Sequence, residues 1–147
     1  MTLLEVLVAL GIMALVLAVA LPMRPRGAST IELESAAQEI AADLRETRAA
    51  AIARNKPVSF RIDVASGAYG HDRQKQLPGK TAGIHVTLFT TEQQRLSQSL
   101  GSIRFFPDGG STGGGVALTA GARRVVVLVD WLSGQVSVAP DAAGGAS

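Results

Sequence analysis

The apolar positions of this chain change their period twice. From Val6 to Leu21 they run almost without interruption, and no charged residue falls among them. From Leu33 to Ala51 they recur every three or four residues. From Val58 onward they alternate with polar ones. These patterns predict an apolar helix, then an amphipathic helix, then half-buried strands. The expected fold class is α+β: a long N-terminal helix in two halves, packed on a small antiparallel β-sheet domain.

The first segment, 1–22, is long enough to span a bilayer core, since Met1 to Leu21 in a helix covers roughly 30 Å. Glu5 is the anomaly in it. Three readings of the segment compete. A secretory signal peptide fits the small residues Ala18-Val19-Ala20 but lacks a positive n-region, because no Lys or Arg precedes Arg24. A plain membrane anchor leaves the charges misplaced. Arg24 and Arg26 follow the apolar run, which would put the C-terminal domain in the cytoplasm unless a basic leader had preceded Met1 and been removed. An assembly helix accounts for Glu5. A carboxylate at membrane depth is costly and usually has a partner. The chain's own α-amino group, about a turn away, or that of a staggered neighbour would supply one, and such a pair sets register better than it adds stability.

Residues 23–28 hold Pro25 and Gly27 just after Pro22, so a kink at Pro22 or a short break is expected. The amphipathic half is 29–55. Ser29-Thr30-Ile31-Glu32 reads as its capping box. Leu33, Ala37, Ile40, Leu44 and Ala51 form the apolar face. Glu32, Glu39, Asp43, Glu46 and Arg54 are expected to face water.

The β-rich domain covers 56–140. Val58, Phe60, Ile62 and Val64 alternate with polar residues, and Ser66-Gly67 is a turn into a return strand at Ala68-Tyr69. Residues 70–83 read as a polar loop. Further strands are expected at 84–88, 102–106, 116–119, 125–130 and 135–138. The run 107–115 is a glycine-rich turn, and Leu132-Ser133-Gly134 is a second turn. Residues 141–147 are a small, polar tail expected to be disordered.

Composition narrows the chemistry. The 147 residues contain no cysteine, which removes disulfides, thiol catalysis and thiolate metal sites. The net charge is +2, too small for a whole-domain drive toward nucleic acid. His71 and His85 stand apart, with no acid and serine at catalytic spacing. Asp108-Gly109 is a turn pair rather than a metal motif. The glycine run leads into a strand, whereas a phosphate loop needs Gly-Lys-Ser/Thr leading into a helix. Arg123 and Arg124, with Arg73, Lys75 and Lys80, are candidate contacts for an acidic partner or DNA. Scattered surface charge is the favoured reading of them, given the small net charge, and nucleic acid is not an expected partner. No cofactor and no metal are expected.

The stretch Thr2-Leu3-Leu4-Glu5-Val6-Leu7-Val8-Ala9-Leu10 resembles the N-terminal motif of type IV pilins and type II secretion pseudopilins. The resemblance implies a type IV pilin-like fold and an assembly role for Glu5. It also implies a leader removed by prepilin peptidase and a methylated N-terminus at Met1, where the family usually has Phe. Pro22 matches the family's helix-bending proline. Two further phrases, Ile103 to Ser111 and Val129 to Val136, resemble the H-type minor pseudopilins and the related FimT-like minor pilins. The function implied is a non-enzymatic minor pseudopilin at or near the tip of the pseudopilus. Its partners would be the major pseudopilin, the other tip pseudopilins and, before assembly, inner-membrane lipid. The location implied is a single pass of the inner membrane with the C-terminal domain in the periplasm. A FimT-like minor pilin binding DNA, and a signal-anchored periplasmic enzyme, are the alternatives.

Overall fold

A computed structural model describes residues 2–20, 30–77, 83–90 and 99–140, with side chains of the first segment described to Ala18. Pro22, the break at 23–28, Ser29 of the capping box and the tail 141–147 lie outside the described residues.

Helix α1 covers Leu3–Ala20 and α2 covers Thr30–Arg54. The described side chains of α1 are exposed on every side, Leu3 at 82%. Among the described residues no helix is long and apolar enough to cross a membrane.

Helix α2 is the spine of the domain. Leu33, Ala36, Ala37, Ile40, Ala41, Leu44, Thr47 and Ala51 are buried along one face. Four of these eight are alanines, so strands can approach the helix closely. The helix ends where Asn55 takes φ 50° and Lys56 N–H donates to the Ala51 carbonyl at 3.2 Å. Asn tolerates that left-handed turn, and Pro57 then prevents continuation.

Eight strands follow: β1 Val58–Asp63, β2 Ala68–Gly70, β3 Lys75–Gln76, β4 His85–Phe89, β5 Leu100–Phe105, β6 Gly114–Ala120, β7 Arg123–Val129 and β8 Val136–Pro140. They form two four-stranded antiparallel sheets, ordered β3-β2-β1-β5 and β4-β6-β7-β8. The single sheet expected from sequence is therefore corrected to two. Strand alternation predicts each strand but not its partner, and β5 returns to β1 across the intervening β4. α2 packs on both sheets, against β1 and β5 of one and β6, β7 and β8 of the other. Phe60, Ile62, Ile103, Phe105, Val116, Leu118 and Val127 complete the core beneath it.

Two local expectations are corrected. The loop 70–83 contains β3, a two-residue strand with both side chains exposed, which carries no apolar alternation to reveal it. The glycine-rich turn is shorter than expected, because β6 begins at Gly114 and Ser111 bridges to Phe105.

Candidate assembly surface

Glu5 sits in the first turn of α1, its N–H donating to the Thr2 carbonyl at 3.1 Å. Its side chain is exposed, and among the described residues it has no ion-pair partner. Met1, whose α-amino group was expected to matter, lies outside the described residues. An apolar helix exposed on all sides, with one carboxylate near its start, is a surface that needs a covering partner.

A second surface is built by two interlocked loops. The first runs from Phe106 to Gly113, and the second from Asp130 to Gln135. Asp108 Oδ1 accepts from Gly110 N–H at 2.9 Å, which closes the Asp-Gly turn. Asp130 Oδ1 accepts from the N–H groups of Leu132 and Ser133 at 2.9 and 2.8 Å, closing the other. Hydrogen bonds to Ser133 and Leu132 hold the Asp130 carboxyl below its ordinary value. The loops are tied together. Ser111 N–H donates to the Trp131 carbonyl, and Ser111 Oγ donates to the Asp130 carbonyl, each at 2.9 Å.

Arg48 of α2 reaches under both loops. Its Nε donates to the Gly109 carbonyl at 3.0 Å. A Cβ on Gly134 would lie 2.0 Å from that carbonyl oxygen and 2.9 Å from Arg48 Nε, so only glycine fits there. The sequence offered a signal for Arg48 that went unread. It lies four residues past Leu44 and three before Ala51, a cation in register with the buried stripe. Trp131 and Leu132 project from the finished platform, 66% and 70% exposed.

A polar seam joins α2 to β2 and β3. Asp43 was expected to face water, and the structure corrects this: it is 2% exposed and pairs with Lys75 Nζ. It occupies the i+3 position from Ile40, within the buried stripe. The hydrogen bond to Asp43 raises the Lys75 pKa. His71 Nδ1 lies 3.2 Å from Thr47 Oγ1, and Arg54 pairs with Asp72. Tyr69 is buried, and burial together with the Glu39 and Asp43 charges pushes its phenol up to about 12. His71 is thus a strut between hairpin and helix, while His85 is an exposed residue of β4.

Arg123 and Arg124 were placed before a strand by sequence, and they are its first two residues. Arg123 is exposed. The Arg124 guanidinium carbon lies 5.6 Å from the centre of the Phe89 ring, so its side chain crosses β6 to reach β4. Among the described residues no group of three His, Cys, Asp or Glu is placed to hold a metal ion.

This helix-on-two-sheets domain also has named relatives. The family described as "Type II transport protein GspH" matches residues 36–133. The chain belongs to the GspH family. The matched range holds the first loop of the platform, the second as far as Ser133, and most of α2. The chain is 35% identical over 144 residues to "Type II secretion system protein H" of Xanthomonas campestris pv. campestris, covering 95% of this chain and 82% of that protein. Its fold is similar to that of the minor pseudopilin EpsH from the type 2 secretion system of Vibrio cholerae. That match has a TM-score of 0.56 at 15% identity, over 74% of this chain and 97% of the other.

Proposed function

We infer that the chain is a minor pseudopilin of the type II secretion system, a structural subunit that associates with other pseudopilins. The observation that carries this is the GspH family match over residues 36–133. The exposed, carboxylate-bearing helix α1 supports it independently of that range.

In the proposed mechanism α1 is part of a longer apolar helix that continues in sequence through Leu21. Prepilin peptidase frees the N-terminus at Met1, which is then methylated. The helix holds the subunit in the inner membrane with the β-rich domain in the periplasm. On assembly the apolar surface moves from lipid into a core of neighbouring helices, with a bend near Pro22. Both environments cover the same side chains, so the hydrophobic term changes little. Direction must then come from a polar group, and Glu5 is that group. In a low-dielectric core its carboxylate is strongly penalised unless it meets a cation. A neighbour's N-terminal amine meets it only at the correct axial stagger. We assign the major pseudopilin and the other tip pseudopilins as the neighbours.

Substituting Glu5→Val tests this. The variant should insert in the membrane as the parent does, because it removes a buried charge. Its recovery with the other pseudopilins in assembled pseudopili should fall at least several-fold. Unchanged recovery would remove Glu5 from the mechanism.

A further inference from the structure

Assembly through α1 leaves Trp131 unexplained. It is the chain's single tryptophan and is two-thirds exposed. It is nevertheless firmly held. Its carbonyl accepts from Ser111, and a Cβ on Gly113 would stand 3.0 Å from its own Cβ. Beside it opens a cleft of about 740 Å³. That lies within the roughly 300–1,000 Å³ typical of small-molecule sites.

Leu128, Val129 and Trp131 are its apolar lining, with Gly113 and Gly114 bare of side chains among the rest. Both glycines have left-handed φ values, 72° and 130°, and a Cβ on Gly114 would lie 2.4 Å from the Phe89 carbonyl oxygen. The bare stretch of the lining is thus fixed by the backbone.

The polar lining is selective. Thr112, Gln135 and Ser137 are neutral donors and acceptors, and among the described residues no Lys or Arg lines the cleft. Its ionisable side chain is Asp130, whose Oδ1 takes the bonds from Leu132 and Ser133 while Oδ2 takes none of them. An anionic ligand has no counter-charge here. A purely apolar ligand would cover Asp130 Oδ2, Gln135 and Ser137 without giving them partners. A pyranose ring has the matching division, with C–H faces for an indole and hydroxyl edges for acceptors and donors.

We propose that the cleft between Leu128 and Trp131 binds a neutral glycan, one ring stacked on Trp131 and its hydroxyls held by Asp130, Gln135 and Ser137. The site goes beyond assembly and gives the domain a hold on carbohydrate.

Because Trp131 is the single tryptophan, its fluorescence reports this site alone. The full chain, in phospholipid vesicles rather than sugar-headed detergent, is titrated with N-acetylglucosamine tetramer and, separately, with glucose tetramer. A saturable change with a dissociation constant on the order of 1 mM or tighter is expected for at least one of them. The responding sugar distinguishes an amide-bearing glycan from a plain one. Gln135→Ala with Ser137→Ala should weaken the response at least several-fold while leaving the far-ultraviolet spectrum and the melting temperature unchanged. No saturable change with either sugar overturns the proposal. So does an undiminished response in the double variant, or a response only to added pseudopilin domains. None of these failures touches the pseudopilin reading, which the Glu5 experiment tests separately.

Discussion

Replacing Lys75 by Met should destabilise the domain far more than a surface substitution does. Lys75 Nζ lies 2.5 Å from Asp43 Oδ1, and the two side chains are 53% and 3% exposed. The ammonium is therefore half in water, while the carboxylate is not. Unit charges about 4 Å apart attract by about 4 kcal/mol at an effective dielectric near 20. Removing one partner of a buried pair costs about 3–5 kcal/mol, because the other charge is left without compensation. The half-exposed ammonium is partly screened, which reduces the expected loss to about 2–4 kcal/mol. Asp43 Oδ2 is buried and accepts no hydrogen bond among the described residues, so none of them takes over. In thermal unfolding followed by near-ultraviolet circular dichroism, the melting temperature should fall by on the order of 10 °C. The double variant Asp43→Leu with Lys75→Met should recover most of that loss, since a buried pair is often replaceable by apolar side chains. A single Lys75→Met variant within about 0.5 kcal/mol of the parent would refute the reasoning, as would a double variant less stable than the single.

Glycine substitutions separate backbone strain from collision. Gly121→Ala places a side chain at φ 62° with nothing within 4 Å, and should cost about 1–2 kcal/mol. Gly134→Ala meets the Gly109 carbonyl and Arg48 as well, and should cost roughly 3 kcal/mol or more; equal losses in urea unfolding would contradict the clamp. Tyr69, the single tyrosine, should ionise near 12 in the folded protein, read as phenolate absorbance. The folded pKa is raised, so this contribution is complete below pH 10.0 and is lost as pH rises toward 12. Over that window the parent should lose about 2–3 kcal/mol more than Tyr69→Phe; parallel pH profiles would contradict it.

Periodicity carried most of the fold. The stripe from Leu33 to Ala51 is buried as expected, and each expected strand has a counterpart. Strand partners were not legible, because alternation records which face a residue lies on and not which strand lies beside it. β3 was invisible for a related reason: two exposed residues have no period. Asp43 and Arg48 were misread or missed because a charged side chain on a helix is ordinarily solvated. Their register with the stripe was the available warning. The site residues divide similarly. Glu5 stood out because a charge in an apolar run is conspicuous. Trp131 falls between the expected strand 125–130 and the turn at Leu132, where no period applies, and its exposure is visible only once the two loops close beneath it.

The central claim is that this chain serves protein secretion as a pseudopilin. The most direct measurement deletes its gene in the host and compares proteins retained in the periplasm with those released outside. The account predicts exoproteins trapped in the periplasm, with pili and DNA uptake intact and secretion restored by the parent gene. Normal secretion with lost piliation or transformation would contradict it and move the chain to a type IV pilus.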